Sequence, residues 1–394
     1  MNPSASGWID KFGQLVESQE ATYTSFDNLY QDLSKAGFVY GINVDCLSFI
    51  PKEHDTTEDE NAKANLWSAL YYTYLLKSKS TDYQLFLEKV LKFYKALNIN
   101  PSFLNKLLSG SKTSSQLEQI ISSRVFLEDN FITKAFASDI INALLFVDVL
   151  AFKHFLNSEN NIKDVAKNIE LMAINMVHHT LNSKEQKKTD ERLSYIFKAS
   201  LSYVVFENID FNTAYNKLDK SNFNKDSAQY FLDLICLTAW QDLSLDYKES
   251  AFVFGVGDAL NYDKKTIENT LQKIELFIAK NIDKIPHLKD HNFAEKIYDK
   301  TSKIVQKLIY RNRKRLGKEL SESKELVALI SKSTTTSLNA EEKKKVQSQL
   351  MDIIKSIPSL AIFMLPGGAI LLPIFIKLVP KLLPSSFDEN RIEK

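Results

Sequence analysis

Apolar residues recur at intervals of three and four through "LWSALYYTYLLKS" (66–78) and "YQLFLEKVLKFYKALNI" (83–99), the spacing that gathers side chains on one face of an α-helix. "SDIINALLFVDVLAFKHFL" (138–156) is apolar nearly all round, which predicts a central helix. Its four ionisable members, Asp139, Asp148, Lys153 and His154, argue against a bilayer span there. The same helical spacing runs through 190–209, 227–245 and 264–282. No alternation of period two is long enough to build a sheet. Residues 1–285 are therefore expected to form an all-α, multi-helix domain, with loops at 51–63 and around 181–191.

After Pro286 the pattern changes. Residues 286–356 are expected to be a basic helical connector of two or three amphipathic helices, including "KLIYRNRKRLGKEL" (307–320), a loop over 331–342 and a helix over 343–357. "SLNAEE" offers Ser or Asn as N-cap, with acidic residues in the following first turn. "YRNRKRLGK" concentrates Arg311, Arg313, Lys314, Arg315 and Lys318. Such a cluster suits anionic lipid headgroups or rRNA phosphates; the alternative is a solvated face paired with nearby glutamates.

Composition narrows the class of protein. Glycine and proline number only 10 and 9 in 394 residues, which suits helices. Fifty basic and 49 acidic side chains leave a net charge of +1, so no global field recruits DNA, and any electrostatic partner must be met locally. Cys46 and Cys236 are far apart and too few for a disulfide framework, and buried thiols in a reducing compartment are expected. The first residues lack the basic and apolar regions of a secretory signal, so the chain is expected to be made in the cytosol.

The last stretch, 357–394, is of a different kind. Residues 357–376 are 20 positions without a charge, the length that spans a bilayer as a helix. Yet Pro358, Pro366 and Pro373 would each break such a helix in water. Pro366, Gly367 and Gly368 could hinge two half-helices in a membrane, with Lys377 and Lys381 snorkelling at the end. The alternative is a hairpin buried in a soluble core. "LLPIFIKLVPKLLPSSF" (371–387) resembles the signature of the LETM family, in which a proline-rich membrane helix ends in Lys-x-x-Pro-x-x-x-Pro-Ser-x-Phe. The matching positions are Pro373, Lys377, Pro380, Pro384, Ser385 and Phe387. The resemblance implies a membrane protein associated with cation/proton exchange, whose members usually continue into a ribosome-binding-like helical domain. Where mitochondrial members carry a carboxylate before the Leu-Leu-Pro step, this chain has Ala369.

A second resemblance lies at "LTAWQDLSLDYKESAF" (237–252), which is similar to the TerB-like helical domains of tellurite-resistance proteins through Ala239, Asp242, Asp246 and Glu249. The three carboxylates could hold Ca²⁺ or Mg²⁺; alternatively Asp246 caps the next helix and Glu249 completes a capping box. His287, His291 and Glu295, four apart, would share a helical face but offer no fourth zinc ligand. "GVGD" (255–258) lacks the third glycine of a dinucleotide fold, and neither a P-loop nor a nucleophile elbow is present. Neither an enzyme nor a cofactor is expected.

The leading expectation is a membrane-anchored LETM-like protein linked to cation/proton homeostasis, in an oligomer, at the bacterial cytoplasmic membrane with its N-terminal domain in the cytoplasm. Its partners would be the lipid bilayer, further copies of itself and the ribosome, with no specific DNA. The alternatives are a ribosome-binding scaffold at the membrane, and a soluble helical protein with the apolar run buried.

Overall fold

Short polar side chains set where the helices begin. In the computed structural model, which describes residues 1–18, 23–51, 55–97, 112–125, 143–183, 224–240, 247–284, 302, 305–306, 308–336, 338–357, 360 and 372–383, all regular structure is helical. Helices α1 (Trp8–Glu17), α2 (Phe26–Lys35), α3 (Glu58–Ser78) and α4 (Tyr83–Ala96) come first. Ser25, Thr57 and Asp82 cap the last three by accepting from Asn28 N, Glu60 N and Leu85 N. Each cap satisfies one of the backbone donors that a helix start leaves orphaned. Thr57 and Glu60 form a full capping box, so α3 begins at Glu58, inside the stretch 51–63 expected to be a loop. That expectation failed because residues 58–61 are all charged or polar, whereas the helix is nucleated by its cap.

Helices α5 (Thr113–Val125), α6 (Phe146–Phe155), α7 (Ile162–Ser183), α8 (Lys225–Ala239), α9 (Tyr247–Ala259) and α10 (Lys264–Asn281) follow. Asn224 caps α8 and Asp263 caps α10 through the same side-chain contact. The stretch 190–209, read as a helix from its pattern, lies outside the described residues.

The core is organised around α3, which packs on α2, α4, α5 and α6, while α6 joins it to α7 and α7 to α8. Trp67, Tyr72 and Tyr74 of α3 are fully buried, and Trp67 meets Trp8 and Phe86 edge to face at 5.9 and 5.1 Å. The Trp67 N–H finds a partner in this dry interior: Trp67 Nε1 donates to Tyr83 Oη at 3.1 Å, and Tyr83 donates in turn to the Ile9 carbonyl at 2.7 Å. Of the nearly uniformly apolar 138–156 run, 138–142 lie outside the described residues, and α6 buries Phe146 to Phe152 and Phe155, Asp148 included, with Lys153 and His154 half-buried at its end. Cys46 and Cys236 are both buried, and neither is in a disulfide.

The turn after α2 depends on a glycine. Gly37 has φ +85°, and a Cβ there would stand 1.8 Å from the Ile42 carbonyl oxygen. The tight reversal, with Ile42 N donating to the Gly37 carbonyl, carries Tyr40 to Phe277 of α10 at a ring-centroid distance of 4.9 Å.

Helices α11 (Arg313–Glu322), α12 (Lys324–Thr335), α13 (Ala340–Ser356) and α14 (Leu372–Leu382) pack on one another, α12 against α11, α13 and α14. Asn339 caps α13 in a capping box with Glu342, the Asn alternative read from "SLNAEE". The loop expected at 331–342 is shorter, because α12 continues to Thr335.

Candidate functional site

Around Asn312 the chain turns its charges outward. The helical segment 308–311 ends there with φ −106° and ψ 8°, and Asn312 Nδ2 donates to the Leu308 carbonyl at 2.7 Å. Arg315 N and Leu316 N then bond the Asn312 carbonyl, starting α11 after a bend. Ile309, Leu316 and Leu320 are buried, so burial of this stripe forces the residues between them to face water. Arg311, Arg313, Lys314, Arg315 and Lys318 are all exposed, and none pairs with a carboxylate among the described residues. The alternative of a face neutralised by nearby glutamates therefore does not describe them.

An aromatic ring sits among these cations. Tyr310 is 65% exposed, and the Arg313 guanidinium lies 4.8 Å above its ring centroid. In the sequence the basic residues of "YRNRKRLGK" stand out and the tyrosine at their head does not. A tyrosine inside a basic run is the available signal, but only the fold shows the ring in solvent.

The lysines further on behave differently. Lys332 pairs with Glu342 at 2.6 Å and Lys345 with Glu325 at 2.7 Å, with Gln349 also donating to Glu325. Lys345 and then Gln349 hold the Glu325 carboxyl below its ordinary range, and Lys332 and the Asn339 backbone do the same for Glu342. These pairs clamp α12 to α13, and being exposed they contribute little stability.

The apolar signature forms a short packed helix where it is described. α14 has 11 residues, a rise of about 16 Å, roughly half the hydrocarbon thickness of a bilayer. No helix among the described residues is long and apolar enough to cross a membrane. Ile374, Phe375, Ile376 and Val379 are buried and the helix packs on α12, while Lys377 and Lys381 are exposed. Pro373 is the second residue of the helix, where its missing N–H is no loss, and Pro380 lies in the last turn, where it removes one terminal bond. Pro366, Gly367, Gly368, Pro384, Ser385 and Phe387 lie outside the described residues.

Asp242 and Asp246 of the second resemblance also lie outside them, as do His287, His291 and Glu295, and of Glu249 only the backbone, in the first turn of α9, is described. No cluster of metal-ligating side chains occurs among the described residues.

Residues 338–394 match the family model described as LETM1-like, RBD, a match that takes in α13 and α14 and begins ahead of the proline signature. The C-terminal segment is thus LETM-like. No curated protein and no solved structure matches the chain.

Proposed function

We propose that this is a LETM-like docking protein, not an enzyme, which holds ribosomal RNA through the basic face of residues 310–318. The observation that carries this reading is Tyr310: an exposed ring flanked by unpaired cations is what a protein uses to stack an unstacked base while neutralising its phosphates. Anionic lipid alone would call for the charges but give the ring no stacking partner. The LETM1-like match on the adjoining helices supports the same direction. The test is co-sedimentation of the full chain with ribosomes across a salt series. Binding should weaken steeply as salt rises, and the triple variant Arg311→Gln, Arg313→Gln, Arg315→Gln should flatten that dependence by about 0.7 in slope for each phosphate no longer neutralised.

A second reading follows from the 20 uncharged residues at 357–376. The LETM-like segment would anchor the protein in the bacterial cytoplasmic membrane and, in an oligomer, serve cation/proton homeostasis. Membrane depth tolerates prolines where neighbouring helices satisfy the freed carbonyls. Cation flux in proteoliposomes that disappears on substituting Pro373 or Lys377 would support it, and undiminished flux in both variants would remove it.

A further inference from the structure

Far from the basic face in sequence, α2, α8 and α10 enclose a cleft of about 410 Å³, within the range of small-molecule sites. Each helix contributes one face at helical spacing: Asp27, Tyr30 and Ser34 from α2; Asp226, Gln229 and Asp233 from α8; Lys273, Phe277 and Lys280 from α10. The turn at Gly37 adds Tyr40, whose ring packs on Phe277 at 4.9 Å.

The cleft has a polar floor, an aromatic wall and a cationic mouth. At the floor Asp233 is only 4% exposed, and Tyr30 Oη and Gln229 Nε2 both donate to its Oδ2. No described residue donates to Oδ1, so this second oxygen of a residue that lines the cleft can accept from a donor brought into it. Asn281 is 6% exposed and spends its Nδ2 on the Phe277 carbonyl at 2.9 Å, which leaves its amide oxygen as a second acceptor. Burial lifts the Asp233 carboxyl to about 6 against the Tyr30 and Gln229 hydrogen bonds and the Lys273 charge, so it is ionised at neutral pH.

The mouth has opposite charge. Asp27 is tied to Lys225 at 2.7 Å and Asp226 to Lys153, so the carboxylates of the rim are answered. Lys273 and Lys280 lie two turns apart on α10, are exposed, and pair with no described carboxylate. Between them Leu276 is 61% exposed at the edge of the cleft.

We propose that this cleft binds a purine nucleotide, with the base against Tyr40 and Phe277, a base N–H donated to Asp233, and the phosphate at Lys273 and Lys280. A flat ring bearing N–H donors at one end and a dianion at the other matches the order acceptor, aromatic, cation. A free anion would gain nothing from the buried carboxylate, and a plain cation would be repelled by the lysines at the mouth.

Isothermal titration of the full chain with GMP, AMP, GTP and ATP, and with guanosine and adenosine, tests the assignment. Saturable binding of at least one purine nucleotide is expected, tighter by tenfold or more than its unphosphorylated nucleoside. Lys273→Ala with Lys280→Ala should abolish that difference while leaving the nucleoside's affinity. Asp233→Asn should weaken nucleotide and nucleoside alike by tenfold or more, with unchanged far-UV circular dichroism certifying its fold. Absence of binding by all four nucleotides at millimolar concentration, or affinities indifferent to both sets of substitutions, would overturn the proposal.

Discussion

Arg124 of α5 and Asp148 of α6 form a two-pronged ion pair with both bonds at 2.7 Å and both side chains almost wholly buried. Tyr94 of α4 donates to the same carboxylate at 3.1 Å, so one charge group ties three helices together. Burial opposes the guanidinium's charge, but the Asp148 carboxylate and its hydrogen bonds outweigh it and hold Arg124 above its ordinary pKa. Removing one partner leaves the other charged and dry. Asp148→Asn or Arg124→Met should each cost about 3–5 kcal/mol, whereas the double replacement Arg124→Met with Asp148→Leu should cost much less. Urea unfolding of the three variants checks this; a double variant as unstable as the sum of the singles would refute the account.

Asp233 gives the stability a pH dependence of unusual sign. Its folded pKa of about 6 lies above the ordinary 3.8, so the native state holds the proton more tightly than the unfolded chain. The stabilisation by that proton is complete below about pH 4 and is lost as pH rises to about 6, a change of about 3 kcal/mol. The groups around it are Tyr30, Gln229, Lys273, Tyr40 and Cys236, the tyrosines and thiol remaining neutral because burial lifts them too. In Asp233→Asn this contribution should vanish, and the variant should melt higher than wild type at pH 7. Thermal melts of both proteins from pH 4 to 7 measure it, and parallel curves would show that Asp233 does not titrate in this window.

Tyr310→Ala should leave stability within about 0.5 kcal/mol, since the ring is largely in solvent. Its effect should fall on RNA affinity instead, a weakening of about 1–3 kcal/mol from the absence of one base stack. Ribosome co-sedimentation of Tyr310→Ala beside Tyr310→Phe separates ring from hydroxyl: the phenylalanine should bind as wild type.

Carbonate extraction of membranes from expressing cells compares the full chain with one ending at Ser356. If residues 357–383 anchor the protein, the full chain stays in the pellet and the shortened one is released. Release of both would leave α14 as a packed cap on α12 and remove the transport reading.

Gly37→Ala should destabilise by about 2 kcal/mol or more, because the added Cβ meets the Ile42 carbonyl and φ lies in the left-handed region. The unfolding midpoint in urea should fall with the slope unchanged; a midpoint equal to wild type would mean the turn relaxes.

The helical character of this chain was determined by local information. Spacing of apolar side chains marked 66–78, 83–99 and 264–282, and "SLNAEE" offered Ser or Asn as the cap of α13, of which the structure uses Asn339 with the helix beginning ahead of the expected 343, because amphipathic period and capping act within a single turn. The proline pattern of the last segment was legible for the same reason, and the LETM-like match at 338–394 agrees with it. Helix limits set by a cap in a charged stretch, as at Thr57, were not, since charge there reads as loop. Partners distant in sequence were wholly a matter of tertiary structure. Asp148 meets an arginine 24 residues away and Asp233 a tyrosine 203 away, and no local pattern encodes which helix faces will be pressed together. Burial then decided the rest: it sank Asp233 to the floor of a cleft, left Tyr310 in solvent, and turned the apolar residues of α14 inward against α12.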